Sequence, residues 1–149
     1  MRRLASIAFA VFTAFMLSLP AANAAEGHIG IVKTTEGVAT IDRQGNVLPA
    51  SPGVRVLNGD KLVTGADSAM GVTLLDGSQM SLGPDALLEM DELIYEPQSN
   101  NLSLVANFVQ GTFSHISGGI GRLKPEAVKM RTPVGTIGIR GTKFVVRVP

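Results

Sequence analysis

Gly53-Val-Arg-Val-Leu-Asn-Gly-Asp-Lys-Leu-Val-Thr-Gly65 is followed by a second copy of the same pattern, Gly71-Val-Thr-Leu-Leu-Asp-Gly-Ser-Gln-Met-Ser-Leu-Gly83, at a spacing of 18 residues. Five of 13 positions are identical, among them Gly59/Gly77 and Gly65/Gly83, and Val56/Leu74, Asn58/Asp76 and Leu62/Met80 are similar. Each copy reads as a strand, an Asx-Gly turn, a second strand and a glycine exit. Asn-Gly and Asp-Gly favour primed hairpin turns, whose two central residues both take positive φ. A weaker third copy is Gly135-Thr-Ile-Gly-Ile-Arg-Gly-Thr-Lys-Phe144, in which Ile139, Gly141 and Phe144 stand where Leu57, Gly59 and Leu62 do. A solenoid needs about three stacked units to bury a core. Two and a half copies fit a closed β-roll or β-sandwich-like stack of short hairpins better.

Working outward, short apolar or alternating runs recur at Ile29–Val32, Val38–Ile41, Leu102–Val105, Phe108–Val109, Phe113, Val128–Met130 and Phe144–Val148. Turn dipeptides such as Gly45-Asn46, Gly83-Pro84 and Gly118-Gly119 separate many of them. Ala86–Tyr95 fits a short amphipathic helix as well as a strand. The alternation of Leu88 with Met90, and then of Leu93 with Tyr95, favours strand. The expectation is an all-β single domain over residues 25–149, preceded by a helical signal peptide at 1–24. Arg2-Arg3, the apolar run Leu4–Leu19, Pro20 and Ala22-Asn23-Ala24 form that leader, with cleavage expected before Ala25. The run is short for a membrane span of ~20 residues, although a retained anchor is the plainer alternative to cleavage.

Composition narrows the function. Without the leader the chain carries 11 basic and 12 acidic side chains, so it is not a globally basic, nucleic-acid-seeking protein. The absence of cysteine removes disulfides, thiol nucleophiles and Cys-ligated metals. Charge is unevenly spread: residues 25–96 hold 11 acids and 4 bases, residues 97–149 hold 1 acid and 7 bases. The plain reading is mutual attraction of two packed halves. The functional one is a basic face of Arg122, Lys124, Lys129 and Arg131 that meets an acidic envelope partner or an anionic surface.

Gly59-Asp60-Lys-Leu-Val-Thr64-Gly65, then Leu75-Asp76-Gly77-Ser78 and Leu82-Gly83-Pro84, resemble the first half of the FecR domain. Thr132-Pro133-Val-Gly135-Thr-Ile-Gly-Ile-Arg140-Gly141-Thr142-Lys-Phe144 is similar to that family's closing motif, and the likeness runs from about Gly30 to Val148. The resemblance implies a periplasmic β-domain. In the regulators that named the family, this domain relays occupancy of an outer-membrane siderophore receptor, through a membrane helix, to a cytoplasmic sigma-factor-binding segment. Here a cleavable-looking signal stands where those proteins carry the cytoplasmic segment and retained helix. The fold therefore transfers and the transmembrane role does not.

Catalytic chemistry is sparse. His28 and His115 read as surface or rim side chains, too few for a metal set. Ser114-His115 is no dyad, because adjacent strand residues face opposite ways. Glu89 and Asp91, two apart on a strand, could form a hydrolytic carboxylate pair, against the plainer reading of a solvated acidic edge. Gly135, Gly138 and Gly141 lack the spacing of a nucleotide loop. Met70, Met80 and Met90 suit core filling better than copper. No catalytic, metal or cofactor residue is assigned.

The sequence thus points to a non-enzymatic, periplasmic or secreted domain acting in protein–protein interaction or signalling at the cell envelope. An envelope hydrolase or ligand-binding protein using Glu89 and Asp91 is the alternative. Gly59, Asp60, Thr64, Gly65, Asp76, Gly77, Thr132, Pro133, Arg140, Gly141 and Thr142 are the motif residues, structural or contacting. Arg140 is expected to be partly buried as a clamp on Asp60, Asp76 or Asp91, since a guanidinium offers five donors in a rigid fork. Thr142 is expected to cap a loose backbone group through its hydroxyl.

Overall fold

Alternating burial along strands such as Ala69–Leu74 and Gln79–Leu82 follows the period-two patterning of the sequence. In the computed structural model, which describes residues 27–149, twelve strands form. The leader read at residues 1–24 lies outside the described residues. The strands are β1 (Gly30–Glu36), β2 (Ala39–Arg43), β3 (Asn46–Pro49), β4 (Arg55–Val56), β5 (Lys61–Thr64) and β6 (Ala69–Leu74). They continue with β7 (Gln79–Leu82), β8 (Leu87–Glu96), β9 (Asn101–Ile116), β10 (Val128–Thr132), β11 (Gly135–Gly138) and β12 (Lys143–Val148). The all-β expectation holds, and Ala86–Tyr95 is strand. A five-residue helix, α1 (Gly119–Leu123), and two single 3-10 turns add a little helix among the described residues.

The sheet curls into two leaves that share β9. One leaf runs β3-β2-β5-β8-β9-β10-β11, the other β4-β1-β6-β7-β9-β12. All pairings are antiparallel except β9 with β10. The runs expected separately at Leu102–Val105, Phe108–Val109 and Phe113 are one 16-residue strand. Its buried residues are even-numbered from Leu102 to Phe108 and odd-numbered at Phe113 and His115, so the strand changes phase between them. A bulge in the β8 pairing and Gly111, at φ +103°, make that change. A Cβ at Gly111 would lie 2.6 Å from the Cα and Cβ of Ala86, so a side chain fits there in neither conformation nor space.

Between the leaves lies one apolar core. Phe108 and Phe113 stack at 4.6 Å, and Phe144 closes on Phe108 at 6.4 Å. Met70, Met80 and Met90 are all buried in it, as core filling requires.

The repeat means something different from stacked hairpins. The second copy is a hairpin: the Leu74 N–H donates to Ser78 C=O at 2.8 Å, and the Gly77 N–H to Leu74 C=O at 3.0 Å. Gly77 has φ +80° and Asp76 is not left-handed, so this is a type I turn closed by a glycine bulge, not a primed turn. The first copy is not a hairpin. β4 pairs with β1 and β5 with β2 and β8, so the turn at Asn58-Gly59 carries the chain from one leaf to the other. The third copy does the same in reverse, from β11 to β12. The primed two-residue turn is at Gln44-Gly45, with φ +53° and +87°, one residue before the expected Gly45-Asn46.

Candidate interaction site

The two halves of the sequence motif have opposite fates. Gly59, Asp60, Thr64, Gly65, Asp76 and Gly77 brace the interior or its margins, whereas much of Thr132–Thr142 lies at the surface. They do not converge on one site.

Asp60 is 1% exposed. Its carboxylate accepts Arg43 Nε at 2.9 Å and Arg43 Nη2 at 2.8 Å, a bidentate fork, and the Leu57 N–H at 2.8 Å. Arg43 Nη2 also donates to the Arg55 carbonyl at 2.9 Å, tying β2 to the β4–β5 crossing. Asp76 is equally enclosed. It accepts the Ser78 N–H at 2.9 Å, Ser78 Oγ at 2.8 Å and the Ile120 N–H at 3.2 Å, pinning α1 onto the β6–β7 turn. Asn58, in the slot corresponding to Asp76, accepts the Leu93 N–H at 2.7 Å. The shared role of that slot is to hold a distant backbone amide. Thr64 donates Oγ1–H to Gly83 C=O at 2.6 Å and accepts the Ala86 N–H at 3.0 Å. The Gly65 N–H donates to Val38 C=O at 2.9 Å.

Glu89 and Asp91 do not form an acid–base pair. Asp91 is the extra residue of a β8 bulge between Met90 and Glu92, which breaks the expected two-residue alternation. Glu89 accepts Asn107 Nδ2 at 3.0 Å and pairs with Lys61 at 3.1 Å, while Asp91 pairs with Arg131 at 3.6 Å. The hydrogen bond from Asn107, followed by that from Lys61, lowers the Glu89 pKa. A general acid needs the opposite shift. On the outer face of this leaf, Asp42, Lys61, Glu89, Asn107 and Arg131 form one cross-strand row. Here the acidic first half and the basic second half of the chain neutralise each other.

The basic residues therefore divide. Lys129 and Arg131 face outward from β10, and Arg131 is committed to Asp91. Arg122 and Lys124 lie at the end of α1, on a separate element. No single face gathers all four.

His115 corrects the reading of both histidines as surface groups. It is 0% exposed, neither ring nitrogen has a partner among the described residues, and its ring lies 5.3 Å from that of Phe144. Burial lowers its pKa from 6.5 to about 4, with Asp76 pulling weakly the other way. His28, half-buried beside β1, stays at the margin.

Arg140 is exposed and makes no hydrogen bond or ion pair among the described residues, so it is not the buried clamp expected of it. The reason is the crossing from β11 to β12, which leaves Arg140 on the surface and buries Ile139 instead. The clamp on Asp60 is Arg43. Thr142 holds this crossing through its carbonyl, which accepts the Ser117 N–H at 2.8 Å, rather than through its hydroxyl. Gly141, at φ +151°, gives its carbonyl to Ser117 Oγ at 3.0 Å. Thr132 Oγ1 donates to Gly135 C=O at 3.0 Å, and beyond it Pro133 and Val134 stand free, Val134 at 97% exposure.

This end of the molecule is open. β10 and β12 lie end to end along the same side of β9, opposite Leu104–Asn107 and Gly111–Ile116. β11 and β12 are consequently edge strands of different leaves, with a mouth of about 270 Å³ between them. Val134, Ile137, Val146 and Val148 are among the residues that line it, as is Arg147. A larger groove of about 840 Å³ is lined by Lys129, Ile137 and Arg140 among others.

Comparison with curated proteins and with solved structures returns no match. The FecR protein family model matches residues 60–149, from the buried Asp60 through β12, a shorter span than the likeness from Gly30. The chain belongs to the FecR protein family.

Proposed function

We propose that this chain is an exported, non-enzymatic FecR domain that binds another protein of the cell envelope in a signalling or adaptor role. Residues 1–24 are its cleaved signal, residues 25–149 its single domain, and the periplasm its compartment. The observation that carries the reading is family membership over β5–β12, combined with an open edge formed by that family's closing motif. FecR proteins are regulatory. Support also comes from the titratable side chains. The buried Asp60 and Asp76 are saturated by structural hydrogen bonds, and Glu89 and Asp91 are spent on ion pairs. No cofactor is invoked. Among the described residues no helix is long and apolar enough to cross a membrane.

The test is in the envelope itself. The tagged chain, expressed in its native form, is fractionated, its N-terminus sequenced, and its neighbours cross-linked in place. We expect periplasmic chain beginning at Ala25 and one saturable protein cross-link. Cytoplasmic chain with an intact N-terminus, or hydrolase activity lost on Glu89→Gln, would overturn the proposal.

A further inference from the structure

β12 ends its leaf with an unused hydrogen-bonding edge. The bond from Ser117 N–H to Thr142 C=O marks Thr142 as a bonded partner in the ladder with β9. Bonded positions alternate in antiparallel pairs, so the N–H and C=O groups of Lys143, Val145 and Arg147 point away from β9. Among the described residues β12 pairs with no other strand. Its outer face presents Lys143, Val145 and Arg147 in sequence, Val145 being 65% exposed. On the inner side, Val146 and Val148 face the apolar mouth together with Val134 and Ile137.

We propose that this edge receives an extended strand from a partner protein, with an acidic–apolar–acidic pattern on the side chains opposite Lys143, Val145 and Arg147. The strand's intervening side chains are apolar and enter the mouth. Main-chain pairing of this kind supplies affinity, and alternate side chains supply choice of partner. The inference rests on the partner-binding reading above and names its surface.

Charge selects the occupant. Lys143, Arg147 and the nearby Arg140 carry no ion pair among the described residues, and Glu126 is the one acid in residues 97–149. A second copy of this chain is a poor fit. Two β12 edges paired antiparallel about Val145 would place Lys143 opposite Arg147 twice, and like charges directly opposite are destabilising. The other edges among the described residues offer no acids in exchange: β3 is Asn46-Val-Leu-Pro49, β4 is Arg55-Val56 and β11 is Gly135-Thr-Ile-Gly138. Edge lysines also discourage aggregation in general. Such protection does not require an apolar mouth beneath the edge, and it predicts no preference for acidic strands.

The probe is a labelled peptide, Ser-Glu-Val-Val-Val-Glu-Ser, titrated into the full-length chain by fluorescence anisotropy. Controls are the same peptide with Lys in place of Glu, and one N-methylated at its central Val. Two variants are compared, Val145→Pro and the double charge reversal Lys143→Glu/Arg147→Glu, each first checked for an unchanged melting curve. Val145→Pro removes an outward N–H and no bond to β9, so the fold survives it. We expect the acidic peptide to bind, and N-methylation or Val145→Pro to weaken it at least about tenfold. The double reversal should transfer the preference to the Lys peptide. Absence of binding, equal binding to Val145→Pro, or equal binding of the Lys and Glu peptides overturns the proposal. So does adsorption to phosphatidylglycerol vesicles that the double reversal abolishes while the peptide fails to bind, since that assigns the edge to a lipid surface. Failure here is separable from failure of the functional reading. A cross-linked envelope partner that persists with Val145→Pro keeps the function and discards this edge. Peptide binding that obeys every control without any envelope cross-link does the reverse.

Discussion

Replacing His115 by Leu should not lower the neutral-pH stability and should remove a large part of the loss on acidification. The imidazole is fully buried, its nitrogens have no partner among the described residues, and its pKa is lowered to about 4 from 6.5. Its neutral form is therefore the one the folded state accepts. Between those two pKa values the unfolded chain binds a proton that the folded chain refuses, so stability falls as pH falls. The penalty is negligible above pH ~7, reaches about 1.4 kcal/mol at pH ~5.5, and is roughly 3 kcal/mol at pH ~4, where it begins to level off. Asp76 is the charged group that moderates it, by favouring the imidazolium.

The variant separates this term from every other acid-sensitive group. Leu fills a similar volume and brings no polar atom, so the stranded imidazole nitrogens no longer count against the fold. Urea unfolding of both proteins at pH 7.5, 5.5 and 4 gives two stability curves. Their difference should open by about 1.4 kcal/mol and then about 3 kcal/mol in favour of the variant. Parallel curves would refute the reasoning, as would an NMR titration placing the His115 midpoint near that of a free imidazole.

Other perturbations test the frame and the edge. Asp60→Ala should cost more than about 2 kcal/mol in urea unfolding, because it removes the buried carboxylate that accepts both the Arg43 fork and the Leu57 amide. Gly111→Ala should lose more than about 2 kcal/mol, from its positive φ and the 2.6 Å approach to Ala86, whereas Gly135→Ala, with open space around it, should stay within about 1 kcal/mol. Arg140→Lys should leave the melting temperature within error, a change of no more than about 0.5 kcal/mol, because the side chain is exposed and unpaired. Glu89→Gln should cost no more than about 1 kcal/mol, since its bridge to Lys61 is solvent-facing.

Strand existence was legible because apolar alternation survives in nearly every element, including Leu88–Met90 and Leu93–Tyr95 on either side of a bulge. Strand partnership was not. The repeat encodes a local strand–turn–strand conformation, which the chain uses once as a hairpin and once as a crossing between leaves. Nothing within thirteen residues distinguishes those uses, because the decision lies with β1, β2 and β8 far along the chain. β9 looked like three pieces for a related reason: its apolar alternation breaks at Gly111, where the strand changes phase and does not end. The burial of His115 did have a local signal, two residues after Phe113 on the same face, and residue type outweighed it. The Arg43–Asp60 clamp had none, since the fork depends on β2 meeting the β4–β5 crossing.

The phase change in β9 accounts for the open end as well. A single strand that serves both leaves has one flank left over after β8 and β7 have taken the other. β10 occupies the part of that flank before Gly111, and β12 the part after it. Since the two halves of β9 belong to different leaves, the strands added there diverge, and β11 cannot bridge back to β12. The residues joining them, Ile139 to Thr142, must span the gap with one buried side chain and two hydrogen bonds from Ser117. At the opposite crossing, Asn58 to Asp60, the gap is sealed by a buried carboxylate, a guanidinium fork and the bonds exchanged with β8. Equivalent stretches of the repeat thus close one end of the molecule and leave the other exposed. The closing motif is where this fold can accept a further strand without giving up a bond it already has.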